Sequence, residues 1–178
     1  MKAVHLTLLC HAQTQAQKVG RFHTPEDSLL PIADAPREEV ATTVLTAPER
    51  RARDTAAWLC ERAQVDPLLA DCDLGNWQGL TLKQLQEEQS GALMQWLQDP
   101  CSAPHGGESF NQLRQRMTAW LDSFEGHGTW MAVTHPLVMR AVLMNVLDCP
   151  SVAAGRIDVL PLARLQLSFA GCWRLRLA

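Results

Sequence analysis

Two histidines in this chain stand directly after short apolar runs: His11 after residues 3–9, and His135 after residues 130–134. A basic run, Arg50-Arg51-Ala52-Arg53, follows a third apolar segment. In an open α/β sheet, ligands bind beyond the carboxyl ends of the strands. This spacing therefore brings two imidazoles and a guanidinium to one sheet edge. Imidazole nitrogen can be a covalent nucleophile, and guanidinium binds phosphate oxygens through a planar fork. The N–H groups of a helix opening after His135 add donors for an anion. Phosphoryl transfer is the chemistry that fits. A lone histidine after a strand is more often structural, and Arg50 and Arg53 read as a solvated face.

The elements that would position these groups alternate. Residues 3–9 and 40–46 are β-branched and apolar, and both end in turn-forming residues. Residues 48–63 read as a helix with Pro48 near its start. Thr81-Leu82-Lys83-Gln84 and Ser109-Phe110-Asn111-Gln112 have the form of capping boxes. The first opens a helix that could run to Asp99. The second opens an amphipathic helix with Phe110, Leu113, Met117, Trp120, Leu121 and Phe124 on one face. Residues 130–134 form a strand, and Pro136 suits a first helical position before residues 137–147. The tail carries strand-like runs at 156–160, 165–169 and 172–177. The expected fold is α/β: a three-layer sandwich with a mostly parallel central sheet flanked by helices and an antiparallel edge. Residues 15–39 are the least regular stretch and are expected to cover something.

Composition bounds the function. A chain of 178 residues is most simply one domain, spanning 1–178 and able to bury about 70% of its unfolded surface. Its apolar content of 47%, charged content of 20% and net charge of -3 give no electrostatic reason to bind nucleic acid or an anionic membrane. The amino-terminal apolar run lacks a signal-peptide pattern, and no stretch approaches the length of a membrane span, so a cytoplasmic location is expected. The six cysteines contain no C-x-x-C pair and read as reduced thiols. No histidine pair has metal-ligand spacing, and neither a metal nor a cofactor is expected.

Longer motifs sharpen this. Cys10-His11-Ala12-Gln13-Thr14 resembles the R-H-G-E-T motif of the histidine phosphatase, or phosphoglycerate mutase-like, family. Arg21-Phe22-His23-Thr24-Pro25-Glu26-Asp27-Ser28-Leu29-Leu30 resembles its R-F-x-G-x-x-D-x-P-L block. Ala47-Pro48-Glu49-Arg50-Arg51-Ala52-Arg53-Asp54-Thr55-Ala56 matches S-P-L-x-R-A-x-Q-T-A. Asp71 to Gly79 follows E-x-x-x-G-x-W-E-G, Gly106-Gly107-Glu108-Ser109 keeps G-G-E-S, and Val133 to Ala141 follows V-x-H-G-G-V-I-R-A. Six ordered blocks span Val4 to Ala141, a joint match far more specific than any one of them.

The resemblance implies a phosphatase that hydrolyses a small phosphomonoester. His11 would be the nucleophile, Arg51 and His135 the holders of the phosphoryl oxygens, and Asp71 the proton carrier in place of the usual glutamate. Gln17, Arg21, Glu108, Pro136 and Leu137 fall at substrate- or phosphate-binding positions, with Glu108 as reserve acid. Departures from the pattern are as informative. Cys10 replaces an arginine that contacts the phosphoryl group; losing such a contact costs about 2–4 kcal/mol, or about 30- to 1,000-fold in rate. Pro136 removes a backbone donor. The segment between Leu30 and Val40 is short where the family has a helix, which implies an open site or one completed by a second copy in a homodimer. The alternative to a phosphatase is a degenerate member that binds a phosphorylated ligand or a partner protein without turnover. A cysteine phosphatase is excluded, because Ala16 stands where C-x5-R needs arginine.

Overall fold

The computed structural model describes residues 4–31 and 43–177. Six strands form one sheet: β1 (Val4–Cys10), β2 (Thr43–Thr46), β3 (Gln64–Val65), β4 (Gly128–Thr134), β5 (Arg164–Phe169) and β6 (Trp173–Arg176), in the order β3-β2-β4-β1-β5-β6. The first four are mutually parallel, and β5 and β6 add an antiparallel edge. This is the α/β sheet expected, flanked by α1 (Gln15–Lys18), α2 (Arg50–Ala56), α3 (Leu82–Glu88), α4 (Ser90–Gln98), α5 (Phe110–Asp122) and α6 (Pro136–Val146). The interior strands β1 and β4 bury Leu6, Leu8, Leu9, Met131, Ala132 and Val133. That is the near-continuous apolar reading of a parallel strand covered on both faces.

Register sets the site. Cys10 pairs with Thr134, so the residues that follow, His11 and His135, leave adjacent strands side by side. His11 N–H bonds Thr134 O and Ala47 N–H bonds Val133 O, both at 2.9 Å, which brings the third strand end level with the other two. Thr14, Thr81 and Ser109 each cap a helix in a complete capping box. On α5, Leu113, Met117, Trp120 and Leu121 are buried as the periodicity requires.

Four expectations change. The helix after β2 stops at Ala56, because Trp58 and Leu59 make tighter bonds to Thr55 and Ala56 that turn Leu59 into the core. The stretch from Leu82 breaks into two helices at Gln89, whose φ of -139° is not helical. The Gln89 side chain there accepts the indole N–H of fully buried Trp77 at 3.1 Å, a partner such a ring requires. Residues 156–160 are not a strand: a short 3₁₀ turn, Ser151–Arg156, leads into irregular chain that leaves Leu160 exposed. Within residues 15–39, Gln15–Lys18 is helical. The short segment after Leu30 and the start of the strand expected at 40–46 lie outside the described residues, from 32 to 42.

Two glycines let the site loops cross. A Cβ on Gly75 would overlap His105 O, and one on Gly107 would overlap Asp73 O. Asn76 N–H bonds His105 O and Glu108 N–H bonds Asp73 O at 2.9 and 2.7 Å. The G-x-W and G-G-E blocks are therefore two halves of one crossing, and glycine is needed at the close approach.

Candidate active site

His11 sits just past β1 and is fully buried. Its Nδ1–H donates to Ala12 O at 2.8 Å, which leaves the Nε2 lone pair without a partner. Burial pushes the ring's pKa down to about 3, helped by the charge of His135, so the imidazole is neutral near pH 7. The loop that carries it is pinned by Thr55: the Thr55 hydroxyl accepts Ala12 N–H at 3.0 Å and donates to Arg51 O at 2.8 Å. One threonine of α2 thus locks the loop that carries His11 to the helix bearing Arg51.

Arg51, also buried, donates from Nη1 to Thr24 O at 2.9 Å and from Nη2 to Asp71 Oδ2 at 2.6 Å, leaving Nε unpartnered. Asp71 Oδ2 lies 3.5 Å from His135 Nδ1, and Asp71 Oδ1 accepts Cys72 N–H. Burial alone would raise the Asp71 pKa; the charges of His135 and Arg51 outweigh it and hold the carboxyl far below its usual range. The ring centroids of His11 and His135 are 5.3 Å apart. Two histidines and one arginine from three strand ends meet as the sequence predicts. The Asp71 carboxylate is held by Arg51, and the buried Nδ1 of His135 near it has no hydrogen-bond partner.

A cavity of about 470 Å³ opens above this cluster, a size suited to a small organic ligand. Glu49, Arg51, Asp71 and His23 form its floor, and His11 and His135 lie just behind them. Gln17, Arg21, Pro136 and Leu137 all line it. Two of these side chains are already engaged. Gln17 Oε1 accepts Thr14 N–H in the cap of α1, and Arg21 pairs with Asp27 at 2.5 Å. Phe22, Leu82 and Trp96 make an apolar outer wall.

Glu108 is a correction. It does not line this cavity: Arg116 grips both its oxygens, at 2.9 and 2.7 Å, beside a shallower neighbouring depression that shares Ala70, Asp71 and Asp73 with the cavity. The G-G-E-S block thus builds the loop crossing rather than the cavity wall. Cys10 is buried, and burial lifts its thiol to about 12, with the Asp71 charge adding to the effect. It carries no charge into the site. All six cysteines are unpaired, as expected.

Three cavity residues were not among the predicted site residues. His23 donates or accepts a 2.8 Å hydrogen bond with Thr14 Oγ1 and stacks edge-on to His11 at 5.3 Å; burial lowers its pKa to about 4. Arg140 lines the cavity one turn into α6, with its Nε buried and unpartnered and no carboxylate within salt-bridge distance among the described residues. Glu49 meets His135 Nε2 at 2.8 Å. Its signal was present: a carboxylate in the slot of the leucine in S-P-L-x-R-A. Among the described residues, no three His, Cys, Asp or Glu side chains are grouped to hold a metal ion, and no helix is long and apolar enough to cross a membrane.

A parallel sheet whose strand ends gather two histidines and an arginine under a cavity gives the protein a phosphoglycerate mutase-like fold. Residues 6–175 match the model of the histidine phosphatase superfamily (branch 1), and the chain belongs to that family. It is 36% identical over 122 residues to a glucosyl-3-phosphoglycerate phosphatase of Mycobacterium tuberculosis, a match covering 61% of this chain and 55% of that protein. The chain thus spans about half the length of such curated relatives. It is 28% identical over 177 residues to a metal-independent phosphoserine phosphatase of Arabidopsis thaliana, covering 88% and 73%. Among solved structures, a native mycobacterial glucosyl-3-phosphoglycerate phosphatase superposes with a TM-score of 0.81 at 26% identity, covering 98% and 97% of the two chains. A putative α-ribazole-5'-phosphate phosphatase from Escherichia coli shares the fold, with a TM-score of 0.84 at 24% identity and coverage of 97% and 94%.

Proposed function

We propose that this protein is a phosphoric monoester hydrolase that works through a phosphohistidine at His11. The observation that carries the reading is the orientation of His11: its Nδ1 proton is held by Ala12 O, and its neutral, unpartnered Nε2 lies beside Arg51 and His135. The Nε2 lone pair attacks phosphorus, the P–O ester bond breaks, and the leaving oxygen takes a proton from Asp71. Water then attacks the phosphohistidine, Asp71 takes a proton from it, and phosphate departs.

Arg51 and His135 stabilise the equatorial oxygens in both steps. For this the Asp71 carboxylate must leave Arg51. Once a phosphoryl group takes over Arg51 and His135, the charges that keep the Asp71 proton off are spent on the ligand, and the carboxyl becomes able to carry one. The named phosphatases among the relatives support the reaction class, and the apolar outer wall suits a substrate whose body is a small organic group.

The second reading is a binding protein without turnover, and Cys10 is the observation that favours it. Hydrolysis of p-nitrophenyl phosphate from mildly acidic to neutral pH separates the two. Turnover well above that of His11→Ala is expected. Equal rates for wild type and variant would leave only the binding reading.

A further inference from the structure

His135 is gripped from two sides by carboxylates. Glu49 Oε2 lies 2.8 Å from Nε2 and Asp71 Oδ2 lies 3.5 Å from Nδ1. The imidazole is fully buried and the Glu49 side chain only 12% exposed, so water does not compete for this contact. Glu49 is itself fixed, because its other oxygen accepts the Asp71 N–H at 3.0 Å. Burial alone would raise its pKa, but the hydrogen bond and charge of His135 hold it below the usual carboxylate range. Leucine, the residue of the family block, makes no such bond. The same pocket has lost a cation at Cys10. The chain thus departs from the family blocks at two positions, Cys10 and Glu49.

We propose that Glu49 is a positioning residue: it accepts the Nε2 proton of His135 and fixes the ring so that its unpartnered Nδ1 faces the place where Asp71 Oδ2 now sits and a phosphoryl oxygen would bind. Around the ring stand Glu49 before α2, Asp71 from the loop ahead of Gly75, Arg51 in α2, His11 after β1, and His23 from the covering segment. The inference rests on the phosphatase reading for its purpose, not for its geometry.

The test uses the full chain with Glu49→Gln and Glu49→Leu, and two substrates. p-Nitrophenolate departs without a proton, whereas an alkyl phosphate needs a general acid. The expected result is an equal fall in kcat/KM of about 10- to 100-fold on both substrates, with Glu49→Asp recovering part of it. Wild type is expected to give a downfield one-proton NMR signal for the Nε2–H held by carboxylate, and both neutral variants to lose it. A loss confined to the alkyl phosphate would make Glu49 the acid itself and overturn the proposal, as would unchanged rates or a signal that persists in Glu49→Gln. If wild type turns over no faster than His11→Ala, the phosphatase reading fails. The pair is then judged by that NMR signal and by inorganic phosphate titrated against wild type and Glu49→Gln. Binding about tenfold weaker in the variant supports it, and equal binding overturns it.

Discussion

The floor and the outer wall of the cavity are built on different principles. At the floor and just behind it, His11, Arg51 and His135 leave the ends of β1 and β4 or the first turn of α2, and all three are buried, with the sheet register setting His11 beside His135. The wall is assembled from distant pieces: Phe22 in a loop, Leu82 at the start of α3, and Trp96 near the end of α4. Phe22 and Trp96 meet edge-on at 5.8 Å, and Leu82 is exposed. A floor of this kind holds reacting atoms still, as preorganised electrostatic stabilisation demands. A wall of this kind can vary without disturbing them.

That contrast can be broken by substitution. Arg51→Ala removes a floor cation and strands Asp71, so kcat should fall about 10²- to 10³-fold with the fold retained, as measured by steady-state kinetics and circular dichroism. Cys10→Arg restores the family's cation and should raise kcat/KM by about 30-fold; no gain would mean that the pocket has been remodelled around the cysteine. Leu82→Asp alters only the wall. A rise in KM of about fivefold at constant kcat is expected, and a fall in kcat would show that wall and floor are not separate.

The smallest effect concerns stability. Burial holds His11 and His23 at about 3 and 4, below their unfolded value of 6.5. The unfolded chain therefore binds more protons as pH falls from about 6.5 toward 3, and folding stability declines through that window. Asp71, held below its unfolded value of 3.8, adds a further loss once pH falls beneath that value. Urea midpoints measured from pH 7 to 4 should drop steadily, and the slope should lessen in His23→Gln.

The same division decides how much of the molecule could be read from its sequence. The parallel core and the capped helices follow from local pattern: apolar runs ended by turns, Thr81 and Ser109 with Gln three residues on, and Pro136 at a helix start. His11, Arg51 and His135 were legible because each sits a fixed step from a strand end. Glu108 was misplaced because its partner Arg116 lies eight residues away on α5 and draws it out of the cavity. The break at Gln89 depends on Trp77, a contact twelve residues distant that periodicity does not register. His23 and Arg140 emerged only with tertiary structure, because what distinguishes each is its neighbour, whereas Glu49 stood out in its block but gained a partner only when His135 was placed beside it.

The central claim is that His11 Nε2 takes the phosphoryl group, and covalent trapping tests it most directly. Wild-type protein is mixed with radiolabelled phosphomonoester, quenched within milliseconds in alkali, and digested. The account predicts base-stable, acid-labile label on the peptide containing His11 and none in His11→Ala. Label on a peptide carrying His23 or His135 instead, or substrate turnover with no labelled peptide at all, would contradict it.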